Sequence, residues 1–104
     1  YDDLRRKIER TGTDNFPTVA GRKLYGELTM LITVNFDGRI LGTEVVTGGS
    51  GDKQLDRRAQ AIVLQASPFG AFSQAMRRTA DQLVVVSRFQ FTKDQVLETT
   101  LAAQ

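Results

Sequence analysis

The clearest pattern in the chain is an alternation with a period of two that begins at Glu27, with Leu31 as the one apolar residue among the intervening positions. Its apolar positions are Leu28, Met30, Ile32, Val34 and Phe36. A period of two predicts a β-strand. Asp37-Gly38 follows, and because both residues tolerate positive φ, a two-residue hairpin turn is predicted. The return strand would run from Arg39 to Thr47, with Gly42 marking a bulge or the close approach of another backbone.

Two other stretches carry apolar residues at helical spacing. The longer stripe consists of Leu55, Ala59, Ile62, Val63 and Ala66. Ser50 or Asp52 is the predicted N-cap of this helix, and Pro68 ends it. A shorter amphipathic helix is predicted over residues 2–10, where two carboxylates favour the helix start and Gly12 would end it.

A third strand is predicted over Gln82 to Thr92, again from a period of two. One face would carry Leu83, Val85, Phe89 and Phe91, and the other Val84, Val86, Arg88 and Gln90. Residues 18–25 are interpreted as a short helical turn, and Phe69 and Phe72 as anchors of an irregular segment. The tail from Asp94 to Gln104 has weak helical spacing, which predicts a short helix or a frayed end.

The order helix, strand, strand, helix, strand predicts one α+β domain over residues 1–104. Its core would cover about 15–92, preceded by a helical extension over 1–14 and followed by a tail over 93–104. The hairpin and a right-handed split β-α-β crossover give a three-stranded antiparallel-type sheet in the order second, first, third. The long helix would pack on one face of this sheet.

This order leaves the third strand at the edge of the sheet. From Leu83 to Phe91 it carries no proline and one charge, Arg88, whereas proteins normally protect such edges with prolines, charges or bulges. An unprotected edge favours docking of an extended peptide, or it is covered by the tail or by a second copy of the domain. The docking hypothesis requires that Gln82–Thr92 does not lie between two strands of the same chain.

Composition excludes several classes of function. The 104 residues are 40% hydrophobic and 25% charged, which is typical of one globular domain. Cysteine and histidine are absent, so thiolate and imidazole chemistry is excluded, and we expect no enzyme activity, no metal and no cofactor. The compartment is not determined by the missing cysteines. A net charge of +2, with acidic and basic residues interleaved, disfavours nucleic-acid binding.

Several short motifs occur in a particular order between Asn15 and Thr92. They are Asn15-Phe16-Pro17, Leu24-Tyr25-Gly26, Asp37-Gly38-Arg39-Ile40, Gly49-Ser50-Gly51, Leu55-Asp56, Ala66-Ser67-Pro68-Phe69 and Phe89-Gln90-Phe91-Thr92. This order and spacing resembles the C-terminal domain of the TonB energy-transducer family. The chain departs from the family pattern at Phe16, where tyrosine is commoner, and at Gly49, where serine is often found.

The resemblance implies a periplasmic domain of a Gram-negative cell. A transmembrane helix and a proline-rich spacer, both outside this sequence, would tie it to an inner-membrane motor of the ExbB and ExbD type. Because the chain begins at Tyr1 without a methionine or a signal peptide, it is interpreted as a fragment. Such domains capture the TonB box of an outer-membrane transporter as an added strand and transmit energy derived from the proton gradient for uptake of siderophores, vitamins or similar cargo.

The predicted peptide site is the edge of the third strand. It comprises Leu83, Val84, Val85, Val86, Ser87, Arg88, Phe89, Gln90 and Phe91. Further partner contacts are predicted at Asn15, Phe16, Pro17, Arg22 and Lys23. Structural roles are predicted for Gly26, Asp37, Gly38, Ser50, Gly51, Leu55, Asp56, Pro68 and Phe69. The alternative function is a TolA-like or self-associating module of the cell envelope, which would use the same edge to form a homodimer.

Overall fold

The computed structural model describes residues 2–103, which form three helices and six strands. The helices are α1 (Asp2–Asp14), α2 (Lys53–Ala66) and α3 (Gln74–Arg77). The strands are β1 (Thr18–Val19), β2 (Arg22–Lys23), β3 (Gly26–Asn35), β4 (Ile40–Val45), β5 (Gln82–Phe91) and β6 (Leu97–Ala103). No described helix is long and apolar enough to cross a membrane.

Four strands form one antiparallel sheet in the order β4-β3-β5-β6, and β1 and β2 form a separate ribbon. The α+β class is therefore confirmed, whereas the three-stranded sheet is wrong because a fourth strand follows β5. The expected neighbours β4, β3 and β5 keep their relative order. Helices α1 and α2 contact each other and pack on β6 and β4 respectively.

The core lies between this helical layer and one face of the sheet. Alternation places Met30 and Ile32 of β3 and Val85 and Phe89 of β5 in this layer, and all four side chains are fully buried. The opposite face of the sheet has no helix among the described elements, and its side chains are mostly half-buried or exposed. The period-of-two pattern thus predicted correctly which side chains of these two strands enter the core.

The segment predicted as a helical or frayed tail is instead strand β6. Gln95 adopts a positive φ of 63°, its N–H donates to the Thr92 carbonyl at 2.9 Å, and Thr92 N–H donates to the Val96 carbonyl at 3.1 Å. These contacts form a tight turn that returns the chain along β5. The alternative in which the tail covers the β5 edge is the one that the structure adopts.

Helix α1 does not end at Gly12, as predicted, but continues to Asp14. Gly12 is buried where α1 crosses β6, and a Cβ atom there would collide with the Leu97 side chain. The missing side chain of Gly12 therefore allows the helix and the strand to approach closely, and the glycine does not end the helix. Its helical cost of about 1 kcal/mol relative to alanine is offset by burial of Leu97, which is 1% exposed.

Two turns also differ from expectation. Asn35 N–H donates to the Arg39 carbonyl at 2.8 Å, so the β3–β4 loop contains three residues rather than two. Its last residue, Gly38, has φ of 90°, and a Cβ there would collide with the Phe69 carbonyl. Residues 18–25 form the β1–β2 hairpin rather than a helical turn, because Ala20 and Gly21 both adopt positive φ, as a primed turn requires.

The predicted ends of α2 are confirmed. Asp52 is the N-cap, and its carboxylate accepts N–H groups of Gln54 and Leu55 at 2.9 and 3.4 Å. The helix stops at Ala66, before Ser67-Pro68. The predicted bulge at Gly42 is also confirmed, because the β3–β4 register shifts between Thr33 and Val34.

Leu97 and its neighbour Val96 offer a matched test of whether β6 belongs to the core. Leu97→Ala should lower the free energy of unfolding by about 2–5 kcal/mol, because a buried side chain is truncated. Val96 is 38% exposed, so Val96→Ala should cost less than about 1 kcal/mol. Chemical denaturation of the two variants measures both values. Equal losses would show that Leu97 is not packed in the core.

Candidate functional site

The predicted peptide-binding edge on β5 is not open. Strand β6 pairs with it from Phe91↔Leu97 to Val85↔Ala103, while β3 pairs along its other side. The expectation that Leu83–Phe91 forms a free edge is therefore wrong over Val85–Phe91. The sequence pattern did not predict strand β6, because its alternation is weak and it has threonines in place of a continuous apolar face.

The outer edge of β6 is covered in turn by α1. Leu97 N–H donates to Thr13 Oγ1 at 3.1 Å, and Thr99 N–H donates to Glu9 Oε2 at 2.7 Å. Thr99 Oγ1 also donates to the same carboxylate oxygen at 3.2 Å. Helix side chains thus occupy the outward-directed main-chain donors in the first half of β6, which is one way of protecting an edge.

Strand β4 is the other end of the sheet, and no strand of the described chain lies beyond it. Val46 N–H donates to the Thr29 carbonyl at 2.9 Å, so the amide of Val46 points toward β3. Because antiparallel strands alternate inward- and outward-directed amides, the N–H groups of Thr43 and Val45 point away from β3. These groups are available to an incoming strand.

One flank of α2 runs beside this open edge. Gln60 Nε2 donates to Thr43 Oγ1 at 3.2 Å, and Lys53 and Asp56 line a cavity together with Val45 and Val46, which places these three α2 residues next to β4. We call the space between residues 43–46 and these three α2 residues the β4–α2 groove.

Exposed apolar side chains occur on β4, directly after β4 and on α2. Leu41 is 48% and Leu64 57% exposed, and Val46, at the other end of the strand, is 40% exposed. A cavity of about 370 Å³ is lined by Val45, Val46 and Lys53 among others. Exposed apolar side chains beside unpaired strand amides are features of protein-binding edges.

The β5 side chains predicted to meet a peptide lie on the two faces of the sheet. Val84, Val86, Arg88 and Gln90 are on the helix-free face, whereas Leu83, Val85, Ser87, Phe89 and Phe91 face the helices. Arg88 is already paired, because its guanidinium donates to Glu27 Oε2 at 2.6 Å. Ser87 Oγ is buried without a hydrogen-bond partner in the structure.

Among the predicted contacts Asn15, Phe16 and Pro17, the last two are buried, whereas Asn15 is exposed and its role in binding a partner stays a prediction. Phe16 is 9% exposed, and its ring packs against Tyr25 and Phe91 with centroids 5.9 and 5.8 Å apart. Pro17 is fully buried, and Asn15 Nδ2 donates to the Thr11 carbonyl at the end of α1. The motif is therefore a core anchor in this fold.

Arg22 and Lys23, the remaining predicted contacts, lie on the β1–β2 ribbon, and neither takes part in an ion pair within residues 2–103. Arg22 is exposed and Lys23 half-buried. The structure does not bring them to the β4–α2 groove in any described contact, and their role in binding a partner stays a prediction.

Most residues predicted to be structural are at turns and caps. Asp37 accepts N–H of Arg39 at 3.0 Å, and this hydrogen bond is the main reason why the pKa of the Asp37 carboxyl lies below its usual value. Asp56 accepts the N–H and Oγ of Ser50 at 3.0 and 2.7 Å. Gly26 begins β3, Gly51 precedes the N-cap, Leu55 is fully buried, and Pro68 and Phe69 follow α2.

Sequence reasoning did not identify one apolar cavity of about 230 Å³. It lies between the start of α1, Val34 of β3, the segment around Phe69 and Phe72, and the Leu83 end of β5. Its walls come from four separate parts of the chain, so no local pattern predicts it. No group of three or more acidic side chains within residues 2–103 is arranged to hold a metal ion.

The chain was compared with family models, with curated proteins and with solved structures, and none of the three comparisons found a match.

Glu27 and Arg88 allow a test of electrostatics on the helix-free face. Hydrogen bonds from Arg88 and Gln90, and the charge of Arg88, hold the pKa of the Glu27 carboxyl below its usual value. A carboxyl group whose pKa is lower in the folded than in the unfolded state stabilises the fold at pH values above its unfolded-state pKa. This stabilisation is lost as the pH falls through the folded-state pKa. Glu27→Gln should therefore be less stable than the parent above about pH 5 and approach it in stronger acid.

Thermal unfolding of the two proteins between about pH 2 and pH 7 measures this difference. The effect should be small because both side chains are solvent-exposed, and added salt should reduce it. A stability difference that grows as pH falls would contradict the expected direction.

Proposed function

We propose that this chain is a non-catalytic peptide-capturing module of a cell-envelope energy transducer of the TonB type. In this proposal it binds an extended segment of an outer-membrane transporter by β-strand addition, in the periplasm. The observation that supports strand addition is the uncovered β4 edge beside the exposed flank of α2. The transporter, the ExbB- and ExbD-type motor and the location rest on the resemblance of the motifs between Asn15 and Thr92.

We place the added strand on β4 rather than on β5. Addition to β5 would first require removal of β6, and with it the buried Leu97 side chain and the contacts of Thr13 and Glu9. Truncation of a buried leucine alone costs about 2–5 kcal/mol. Addition to β4 removes no described contact between strands.

The length of β4 limits the affinity of such a site. The strand spans Ile40–Val45, and each main-chain hydrogen bond contributes about 1 kcal/mol net. The few outward groups of β4 therefore supply about 4 kcal/mol or less, which corresponds to roughly millimolar binding. Side-chain contacts in the β4–α2 groove must provide the rest, so a transient complex is expected.

Thr43 provides a direct test of main-chain pairing. Thr43→Pro removes an outward-directed donor, whereas Thr43→Val keeps that donor and removes only the hydroxyl that contacts Gln60. Binding of a TonB-box peptide, followed by amide shifts in NMR titration, should be about fivefold weaker for Thr43→Pro than for Thr43→Val. In the parent chain, shifts should concentrate on Thr43, Val45 and their neighbours.

Two other outcomes would contradict this placement. If Val85–Phe91 shift while the β6 amides lose protection from hydrogen exchange, the peptide replaces β6 and binds β5. If no amide shifts at millimolar peptide while the domain remains folded, the chain does not capture such peptides.

Self-association is the second candidate function, and the same open edge favours it. Two β4 strands related by a two-fold axis would pair antiparallel and join two sheets into one. Sedimentation at increasing concentration should then show a dimer that Thr43→Pro weakens and Thr43→Val leaves intact. A monomer at all concentrations would exclude this alternative.

A further inference from the structure

We propose that the apolar cavity at the start of α1 binds a small organic cation that consists of one aromatic ring and a short aminoalkyl chain. This site is separate from the proposed peptide site, because none of the residues that line the cavity belongs to β4 or α2. Three features carry the proposal: the volume of the cavity, its apolar walls, and Asp3, the one charged side chain among the described residues that line it.

The inner walls of the cavity are part of the packed core. Leu4 of α1, Val34 of β3, Phe69 and Val85 of β5 all line it, and all four side chains are buried. Core side chains are held by close packing against their neighbours. The inner part of the cavity is therefore formed before any ligand enters, as is usual for small-molecule sites.

The outer wall is less tightly packed. Phe72 and Leu83 are only partly buried against the core, and Met76 is 41% exposed. Phe72 N–H donates to the Phe36 carbonyl at 2.8 Å, which anchors this segment beside the end of β3. Methionine adapts to the shape of a ligand, and phenylalanine packs well against another ring. An aromatic ligand would cover apolar surface that is now in contact with water.

The volume of the cavity limits the size of the ligand. An apolar cavity of about 150 Å³ accommodates benzene. The cavity of about 230 Å³ can therefore hold a molecule of about nine non-hydrogen atoms, which is one ring with a chain of two or three atoms. For a ligand of this size in a partly open cavity, a dissociation constant of roughly 1 mM or below is expected.

Asp3 supplies the charge that such a ligand meets. Gly70 N–H donates to Asp3 Oδ2 at 3.2 Å, and both residues line the cavity. Within residues 2–103, the other oxygen, Asp3 Oδ1, accepts no hydrogen bond. Because a carboxylate accepts several hydrogen bonds, an ammonium group can donate to Oδ1 while the ring occupies the apolar part of the cavity.

The cations of the protein that are nearest to this site do not line it. Lys7 Nζ lies 3.6 Å from Asp3 Oδ2, and because both side chains are exposed, this ion pair contributes little free energy. Arg77 is placed over the Phe36 ring, with its guanidinium carbon 3.8 Å from the ring centroid, and pairs with Asp81. Inside the cavity, the charge of Asp3 therefore favours a cationic ligand over an anionic one.

The test compares three probes of similar size and different charge: phenylethylamine, phenylethanol and phenylacetate. They are added up to about 10 mM at low ionic strength, and NMR follows the methyl groups of Leu4, Val34, Met76 and Leu83. Phenylethylamine should bind about fivefold more tightly than phenylethanol, and phenylacetate should bind least. Ethylamine, which lacks the ring, should cause no shift of these methyl groups.

Asp3→Asn and Asp2→Asn form a matched pair of variants. Each removes one carboxylate from the first turn of α1, but only Asp3 lines the cavity, whereas Asp2 pairs with Arg5 and Arg6. Asp3→Asn should weaken binding of phenylethylamine about fivefold and change binding of phenylethanol less than about twofold. Asp2→Asn should change neither by more than about twofold. Thermal unfolding verifies that both variants fold.

The remaining outcomes would overturn the proposal. Equal binding of the three probes, or equal effects of Asp3→Asn and Asp2→Asn, would show that the cavity does not select a cation. Shifts of the four methyl groups with a TonB-box peptide but with none of the ring probes would show that the cavity receives a side chain of a protein partner. Neither result bears on strand addition at β4, which is measured at Thr43 and Val45.

Discussion

The docking of β6 between β5 and α1 is the interaction on which the rest of the structure depends. Leu97 fills the space that Gly12 leaves in α1, and the Glu9 carboxylate binds the Thr99 main chain and hydroxyl. Both contacts join residues that are far apart in sequence. Because β6 is held from two sides, β5 becomes an internal strand, α1 is fixed over the sheet, and the first half of one sheet edge is covered.

The two edge strands of the sheet differ in how a helix meets them. Side chains of α1 accept hydrogen bonds from the main chain of β6. At β4 the side-chain hydrogen bond from α2, Gln60 to Thr43, leaves the main-chain groups free. Strand addition is therefore compatible with this fold at β4 without local unfolding, whereas at β5 it is coupled to the release of β6. The two routes differ in kinetics as well as in affinity, because release of a packed strand is a local unfolding step.

The β4 edge offers few contacts to an added strand. A short bulged strand provides few hydrogen bonds, so side-chain contacts would have to supply most of the affinity of a strand added there.

The sequence alone determined the elements that depend on local chemistry. The alternation in β3 and β5, the stripe and caps of α2, and the bulge at Gly42 were predicted because periodicity and capping act within a few residues. Only the tertiary structure shows that residues 97–103 form a strand. This weakly patterned segment is a strand because its main chain pairs with β5 on one side. On the other side it contacts Gly12, Thr13 and Glu9 of α1. For the same reason β5 lost its predicted edge position, whereas β4 remains an edge as the predicted order implies: which edge of a sheet is covered depends on contacts between distant segments, which no local pattern predicts.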